Sequence, residues 1–371
     1  VLWQTWKLQL IVTARITGRQ VEGIRSETLG TEAAPLKLAA ALAMFLLCVA
    51  LCPHALTSQD AEPFANVGPI IDMHLHAMTI DAEGPPPLFI CAPFDYWPAW
   101  DTRLDHGDYE PSVDKHPPCA HPLKTPDTDA ELMQRTLAIM RARNVTGLAS
   151  GDPASVERWK QAGGDRILRA VYFNPASGKP SVSELRKLAQ ATRITAFAEI
   201  VAQYAGMPPN DPRLEPYYAL AEELDIPVGI HVGPGPPGLP YFGGGTPYRM
   251  RDSSMLLLED VLTRHPKLRL WAMHAGWPLL DDAVATLYAH PQLYVDVGII
   301  SYAFPHKEFY AYMQRLIDAG FENRIMFGSD EMVWPDALSA AIDTVAADPN
   351  LTPEQKRDIF YNNAARFLRL Q

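Results

Sequence analysis

Between residues 127 and 330 the chain alternates short apolar runs with amphipathic segments, and no other feature restricts its fold so much. The apolar runs fall at 145–150, 166–173, 195–200, 226–232, 268–274, 293–297 and 324–330, and one more lies upstream at 68–77. Segments with helical spacing lie between them, at 129–143, 152–162, 183–191, 214–224, 253–264, 278–289 and 307–318. Continuous apolar strands separated by helices belong to an all-parallel sheet whose outer faces are covered. Eight such units predict a closed (β/α)8 TIM barrel. A doubly wound open sheet is the runner-up, but it normally carries a glycine-rich phosphate turn after its first strand, and none follows residue 77. Pro227 falls at a strand start, where it is tolerated. Thr352, Pro353 and Glu354 open an extra C-terminal helix reaching Arg369.

Residues 1–58 stand apart from this pattern. Lys37 is followed by an apolar run at 38–52 and by small and polar residues at 55–58, which reads as a secretory signal peptide. The run is shorter than the roughly 20 residues a spanning helix needs, with anchoring as the alternative. Residues 1–36 have no clear apolar period and read as a mistaken upstream start. Cys48 and Cys52 do not sit at a lipidation site, so the expected product is a periplasmic or secreted barrel domain over 59–371. Cys91 and Cys119 are then a disulfide candidate. Both lie in a segment at 78–126 that is rich in proline and aromatics and has no regular period. So long a loop directly after the first strand is read as a lid over the site. The net charge of −11 disfavours nucleic acid and anionic lipid as partners. No stable membrane association is expected once the signal is removed, and homo-oligomerisation is left open.

A barrel of this class builds its site at the C-terminal ends of its strands, and the titratable residues of these runs lie there. His74 and His76 end the first strand, and side chains two apart share a face, so both imidazoles can converge on one cation. Glu199 ends the fourth strand, His231 the fifth, His274 the sixth and Asp330 the eighth. One strand histidine is ordinarily a hydrogen-bonded core residue, and one terminal aspartate a helix cap. Six such groups on one rim are costly to desolvate together unless a cation compensates them. Four imidazoles and two carboxylates suit zinc first, and manganese, iron or cobalt better than calcium or magnesium.

Other residues carry weaker signals. Tyr172, Tyr204, Trp277, Phe304 and Trp334 lie at or beyond strand ends and are candidates for an aromatic pocket. Arg249 and Arg251 follow three glycines after the fifth strand and could clamp a carboxylate or phosphate, or form surface ion pairs. His116, His121, His265 and His290 each precede a proline and read as solvated; His54, His106 and His306 show no pattern.

The residues His74-Leu-His76, Gly229-Ile-His-Val-Gly233, Met273-His-Ala-Gly-Trp-Pro278, Phe327-Gly-Ser-Asp330 and Asn363-Ala-Ala-Arg366 resemble the amidohydrolase superfamily, especially its amidohydrolase-related branch, over roughly 66–370. The resemblance implies a metal-activated hydroxide that attacks the substrate, with His74, His76, Glu199, His231, His274 and Asp330 as ligands. It also implies Asp330 as proton acceptor or relay, with His274 beside it in catalysis. Many relatives bridge two metals with a carboxylated lysine, whereas Glu199 is the candidate here, so one or two ions are open and two are favoured. The expected activity is hydrolysis of an amide, ester or lactone bond in an uncharged or carboxylate-bearing small molecule. The alternatives are a one-metal decarboxylase of aromatic or related acids, and a metal- or ligand-binding protein without turnover.

Overall fold

The computed structural model describes residues 67–370, except 106 and 108. The signal-peptide reading of 1–58, with Cys48, Cys52 and His54, lies outside the described residues, as does His106. Ten strands are described: β1 (Ile70–His76), β2 (Phe89–Ile90), β3 (Leu123–Lys124), β4 (Val145–Ser150), β5 (Ile167–Phe173), β6 (Ala196–Ile200), β7 (Val228–His231), β8 (Leu270–Met273), β9 (Tyr294–Asp296) and β10 (Ile325–Met326). Eight of them form one parallel sheet in the order β1-β4-β5-β6-β7-β8-β9-β10. The seam closes beyond β10, where Leu75 bridges Glu331, and Met73 and His76 donate backbone hydrogen bonds to Phe327 and Glu331. This is the expected (β/α)8 barrel.

Two apolar clusters explain its stability. The inner one fills the barrel with Ile71, Met73, Leu148, Ala170, Ala198, Trp271 and Met326, and Phe367 and Leu368 from the C-terminus plug its base. The outer one lies between strands and helices and takes the alternate strand residues, such as Leu75, Phe197, Ile230 and Ala272. Helices follow the strands at Asp129–Ala142, Pro153–Gly163, Val182–Ala191, Glu215–Leu224, Glu259–Arg264, Leu280–Ala289, His306–Asp318 and Asp336–Ala347. Several begin at a side chain that satisfies free N–H groups: Thr128 accepts from Glu131, and Ser181 forms a reciprocal capping box with Glu184. Among the described residues no helix is long and apolar enough to cross a membrane.

Three local expectations are corrected. The segment at 253–264 is helical in the α sense only from Glu259, because two 3-10 turns precede it. The tail is not one helix; Pro353–Arg357 passes through a π turn at Asp358–Asn362 before Asn363–Leu368. There Asn363 donates its amide hydrogens to the carbonyls of Glu322 and Ile325, 2.8 Å each, anchoring the base of β10. The 78–126 insertion, read as devoid of period, holds a β2–β3 antiparallel pair and a short helix, Pro111–Asp114. Cys91, next to β2, is bonded to Cys119 with Cα atoms 5.9 Å apart, which ties the segment after β2 to the one before β3.

Candidate metal centre

Strict alternation would not place the six titratable residues where they are. Ile71 and Met73 point into the barrel, yet His74 also faces the interior rim, because the β1–β4 register slips between Asp72 and Leu75. The same happens on β6, where the register slips between Phe197 and Ile200 and both Ala198 and Glu199 turn inward. On β8 the break follows the strand: Met273 is inward, and His274 stays inward through a left-handed backbone at φ 59°. Asp330 has φ 56°, again in the sparsely populated region. His76 follows His74 by regular alternation, and His231 is reached in the same way from Gly229, whose missing Cβ makes room for the Trp271 indole. Local strain held in place by surrounding structure is characteristic of functional sites.

All six side chains are buried and meet in one cluster. Asp330 Oδ1 lies 3.2 Å from His74 Nε2 and 3.0 Å from His76 Nε2. Glu199 Oε1 lies 2.5 Å from His231 Nδ1 and 3.4 Å from His274 Nε2, while Glu199 Oε2 is 3.7 Å from both His74 Nε2 and His76 Nε2. Donors bonded to one zinc-sized cation at about 2.0 to 2.2 Å are themselves about 3 to 3.6 Å apart. Three of the six separations fall in that range, those of Asp330 Oδ1 to His74 and His76 and of Glu199 Oε1 to His274.

An outer ring of partners sets which nitrogen faces the centre. His274 Nδ1 lies 3.0 Å from the Gly298 carbonyl, which can only accept, so Nδ1 carries the hydrogen and Nε2 presents a lone pair. His74 Nδ1 faces the Asp296 carboxylate at 3.3 Å with the same result, and His76 Nδ1 sits 3.0 Å from Ser150 Oγ. Gly298 can approach this closely only as glycine, since a Cβ there would lie 2.5 Å from His74 Nδ1. Asp296 also accepts from the His274 and Gly298 backbone and from Trp271 Nε1. Asp72 accepts from His74 N and Ser329 N, 2.9 Å each, pinning the slipped β1 backbone to the closing seam. Sequence reading passed over Asp72 and Asp296. Both are acids inside apolar runs, the same signal that marked the six.

Lone pairs thus face carboxylate oxygens, which repel unless something positive lies among them. Burial opposes charge on His74, but Asp330 and Asp296 outweigh it and hold that imidazole well above its ordinary pKa. Burial likewise works against the charged form of Asp330, yet His74, His76 and His274 together hold it below the usual carboxylate range. Protons therefore stand in for a cation when none is bound. His74 Nε2 and His231 Nε2 are buried without a hydrogen-bond partner. The donor set fits a divalent metal, whose ligands would come from His74, Glu199 and His274 and from His74, His76 and Asp330.

Above the cluster lies a cavity of about 680 Å³, lined by Tyr172, Tyr204, Trp277, Phe304 and Trp334 together with His76, Glu199, His231 and Asp330. The insertion covers it, contributing Glu83, Leu88, Phe94 and Trp97. Arg249 and Arg251 are not brought to it; Arg249 donates to the carbonyls of Thr246 and Tyr248, and the Arg251 side chain is solvent-exposed. His265 is not solvated as its His-Pro pattern suggested, because Glu215 and Glu222 hold its two nitrogens in a buried pocket.

Behind the seam, Glu331 is buried, accepts from the Thr136 hydroxyl at 3.2 Å, and leaves Oε1 without a partner. Burial pushes its carboxyl up from 4.5 to about 8. A carboxyl raised on folding adds stability below its unfolded pKa and loses it as pH rises through the folded one. The thermal midpoint should therefore fall as pH climbs from about 4.5 to about 8. Glu331→Gln should flatten that slope and raise the midpoint at pH 8 by about 5 °C. An unchanged slope in calorimetry would show that Glu331 is not the titrating group.

Comparison with known proteins agrees with the barrel fold. The chain is similar in fold to an uncharacterized TIM-barrel protein of Bordetella bronchiseptica, with a TM-score of 0.51 and 19% identity over 67% of this chain and 86% of that one. It is similar to a probable 2-pyrone-4,6-dicarboxylic acid hydrolase of Acinetobacter baumannii, with a TM-score of 0.50 and 16% identity over 82% and 100%. An IDCase of Metarhizium anisopliae matches at 0.50 and 18% over 81% and 97%. No curated protein matches the sequence. The amidohydrolase family model matches residues 71–370, a span that begins in β1 and ends with the C-terminal plug. With eight strands in the expected order and its donor set at their ends, the chain is an enzyme that belongs to the amidohydrolase family.

Proposed function

We propose that this enzyme is a metal-dependent hydrolase that cleaves an amide, ester or lactone bond of a small molecule. Its metal ligands in this reading are His74, His76, Glu199, His231, His274 and Asp330, and its ion is Zn2+. A family member with this donor set is a metal-dependent hydrolase or decarboxylase, and Glu199 carries the choice. Its two oxygens face different imidazole pairs, His231 with His274 and His74 with His76, as a carboxylate shared between two cations would. When bound, the divalent metal supplies Lewis acidity toward the scissile carbonyl and lowers the pKa of water.

The chain's own groups do the rest. Asp330 borders the cavity beside the imidazoles and accepts the proton of the attacking water, then returns it to the leaving oxygen or nitrogen. His274, held by the Gly298 carbonyl, keeps Nε2 directed at the reacting centre. Tyr172, Tyr204, Trp277 and Trp334 receive the apolar part of the substrate, and the insertion limits entry of bulk water. Export to the periplasm or beyond belongs to the same proposal and agrees with the Cys91–Cys119 bond.

The test is a product screen of zinc-loaded protein against aryl esters, lactones, N-acyl amides and aromatic carboxylic acids. Release of the free acid, with one proton per ester cleaved at neutral pH, is expected. Carbon dioxide release from the carboxylic acids, without ester cleavage, would move the enzyme to the decarboxylases.

A further inference from the structure

The charged side chains that the insertion brings to the cavity over the metal centre are all acidic. Glu83, Glu110 and Asp114 of the insertion line it, and among the described residues no lysine or arginine does. Glu83 is an exposed residue of the insertion that borders the cavity. A continuous run of rings borders the same cavity. Phe94 and Trp97 have centroids 4.8 Å apart, Trp97 and Phe304 5.0 Å, and Phe304 and Trp277 4.2 Å, and all four border the cavity.

An anion entering this space would pass these carboxylates, and among the described residues no lysine or arginine lines the cavity to receive it. A cation meets the reverse, since ring faces and carboxylates both attract it. We propose that the substrate is an apolar molecule bearing a positive charge, such as a substituted ammonium, received by the rings of Phe94, Trp97, Trp277 and Phe304 and by the carboxylates of Glu83 and Glu110. This narrows the substrate of the hydrolase proposed above and rests on that reading for the bond cleaved. The charge preference is read from the cavity alone. It departs from the carboxylate-bearing substrate left open by the sequence.

Calorimetric titration of the full zinc-loaded chain with three probes of one shape tests it: benzyltrimethylammonium, neutral benzyl methyl sulfone and phenylmethanesulfonate. The ammonium should bind about ten-fold tighter than the sulfone, and the sulfonate more weakly than either. Glu83→Gln should bring the ammonium close to the sulfone while leaving sulfone affinity as it was, which also shows that the cavity is intact. If that variant loses sulfone binding, Glu110→Gln supplies the same comparison. Sulfonate binding as tight as ammonium, or ammonium binding unmoved in the variant that retains sulfone affinity, overturns the inference. Binding needs no turnover, so an inert ester panel with the ammonium preference intact would remove the hydrolase reading alone, and ester cleavage without that preference would remove this one alone.

Discussion

Asp330→Asn is expected to lose about 10²- to 10⁴-fold in kcat, the usual contribution of a positioned acid or base. The substitution keeps the shape of the side chain, and the backbone bond from Asp330 N to the His74 carbonyl, 2.6 Å, is unaffected. What disappears is a charge that lies 3.0 to 3.2 Å from two imidazole nitrogens and the capacity to take a proton. In the metal-free cluster imidazolium holds that carboxylate ionised; with the metal bound the imidazoles are neutral ligands, and the cation replaces them in that role. Because a neutral carboxamide is also a weaker ligand than a carboxylate, kcat has to be measured at saturating zinc with metal content checked in the same sample. Full turnover in a fully loaded variant would remove Asp330 from proton transfer.

The barrel could be read from the alternation of apolar runs because each strand is buried on both faces and each helix covers one. Helix Asp336–Ala347 lies beyond the last apolar run, so an alternation that closes at residue 330 does not reach it. The six rim residues were legible as acids and histidines interrupting apolar runs. Their convergence was legible only in part. Period-two logic relates His74 to His76 but says nothing of the slip that lets Met73 and His74 both point inward, nor of the left-handed turns at His274 and Asp330. Those depend on partners remote in sequence, such as Asp72 reaching Ser329. The arginines misled for a related reason. A cation after a glycine-rich loop suggests an anion clamp, yet Arg249 is consumed by the carbonyls of its own loop.

Metal analysis is expected to give two equivalents per chain for the wild type and about one for Glu199→Gln. Glu199 is buried on a strand whose neighbours Phe197 and Ala198 are fully enclosed, and an ionised carboxylate there without a cationic partner would cost several kcal/mol or take up a proton. His231 offsets part of that cost at 2.5 Å, but burial and His274 lower the tendency of His231 to carry charge. The remaining cost is met if each Glu199 oxygen faces a cation, one beside His231 and His274 and one beside His74, His76 and Asp330. Glutamine keeps one oxygen and loses the charge, so it should retain one ion and most of the fold. His74→Ala should also lower metal content, because His74 Nε2 lies 3.2 Å from Asp330 Oδ1 in the second of these groups. One equivalent in the wild type, unchanged in Glu199→Gln, would leave that carboxylate outside the metal shell and favour a mononuclear decarboxylase. In that case the short contact with His231 would be an ion pair in its own right, and Glu199→Gln should lower thermal stability rather than metal content.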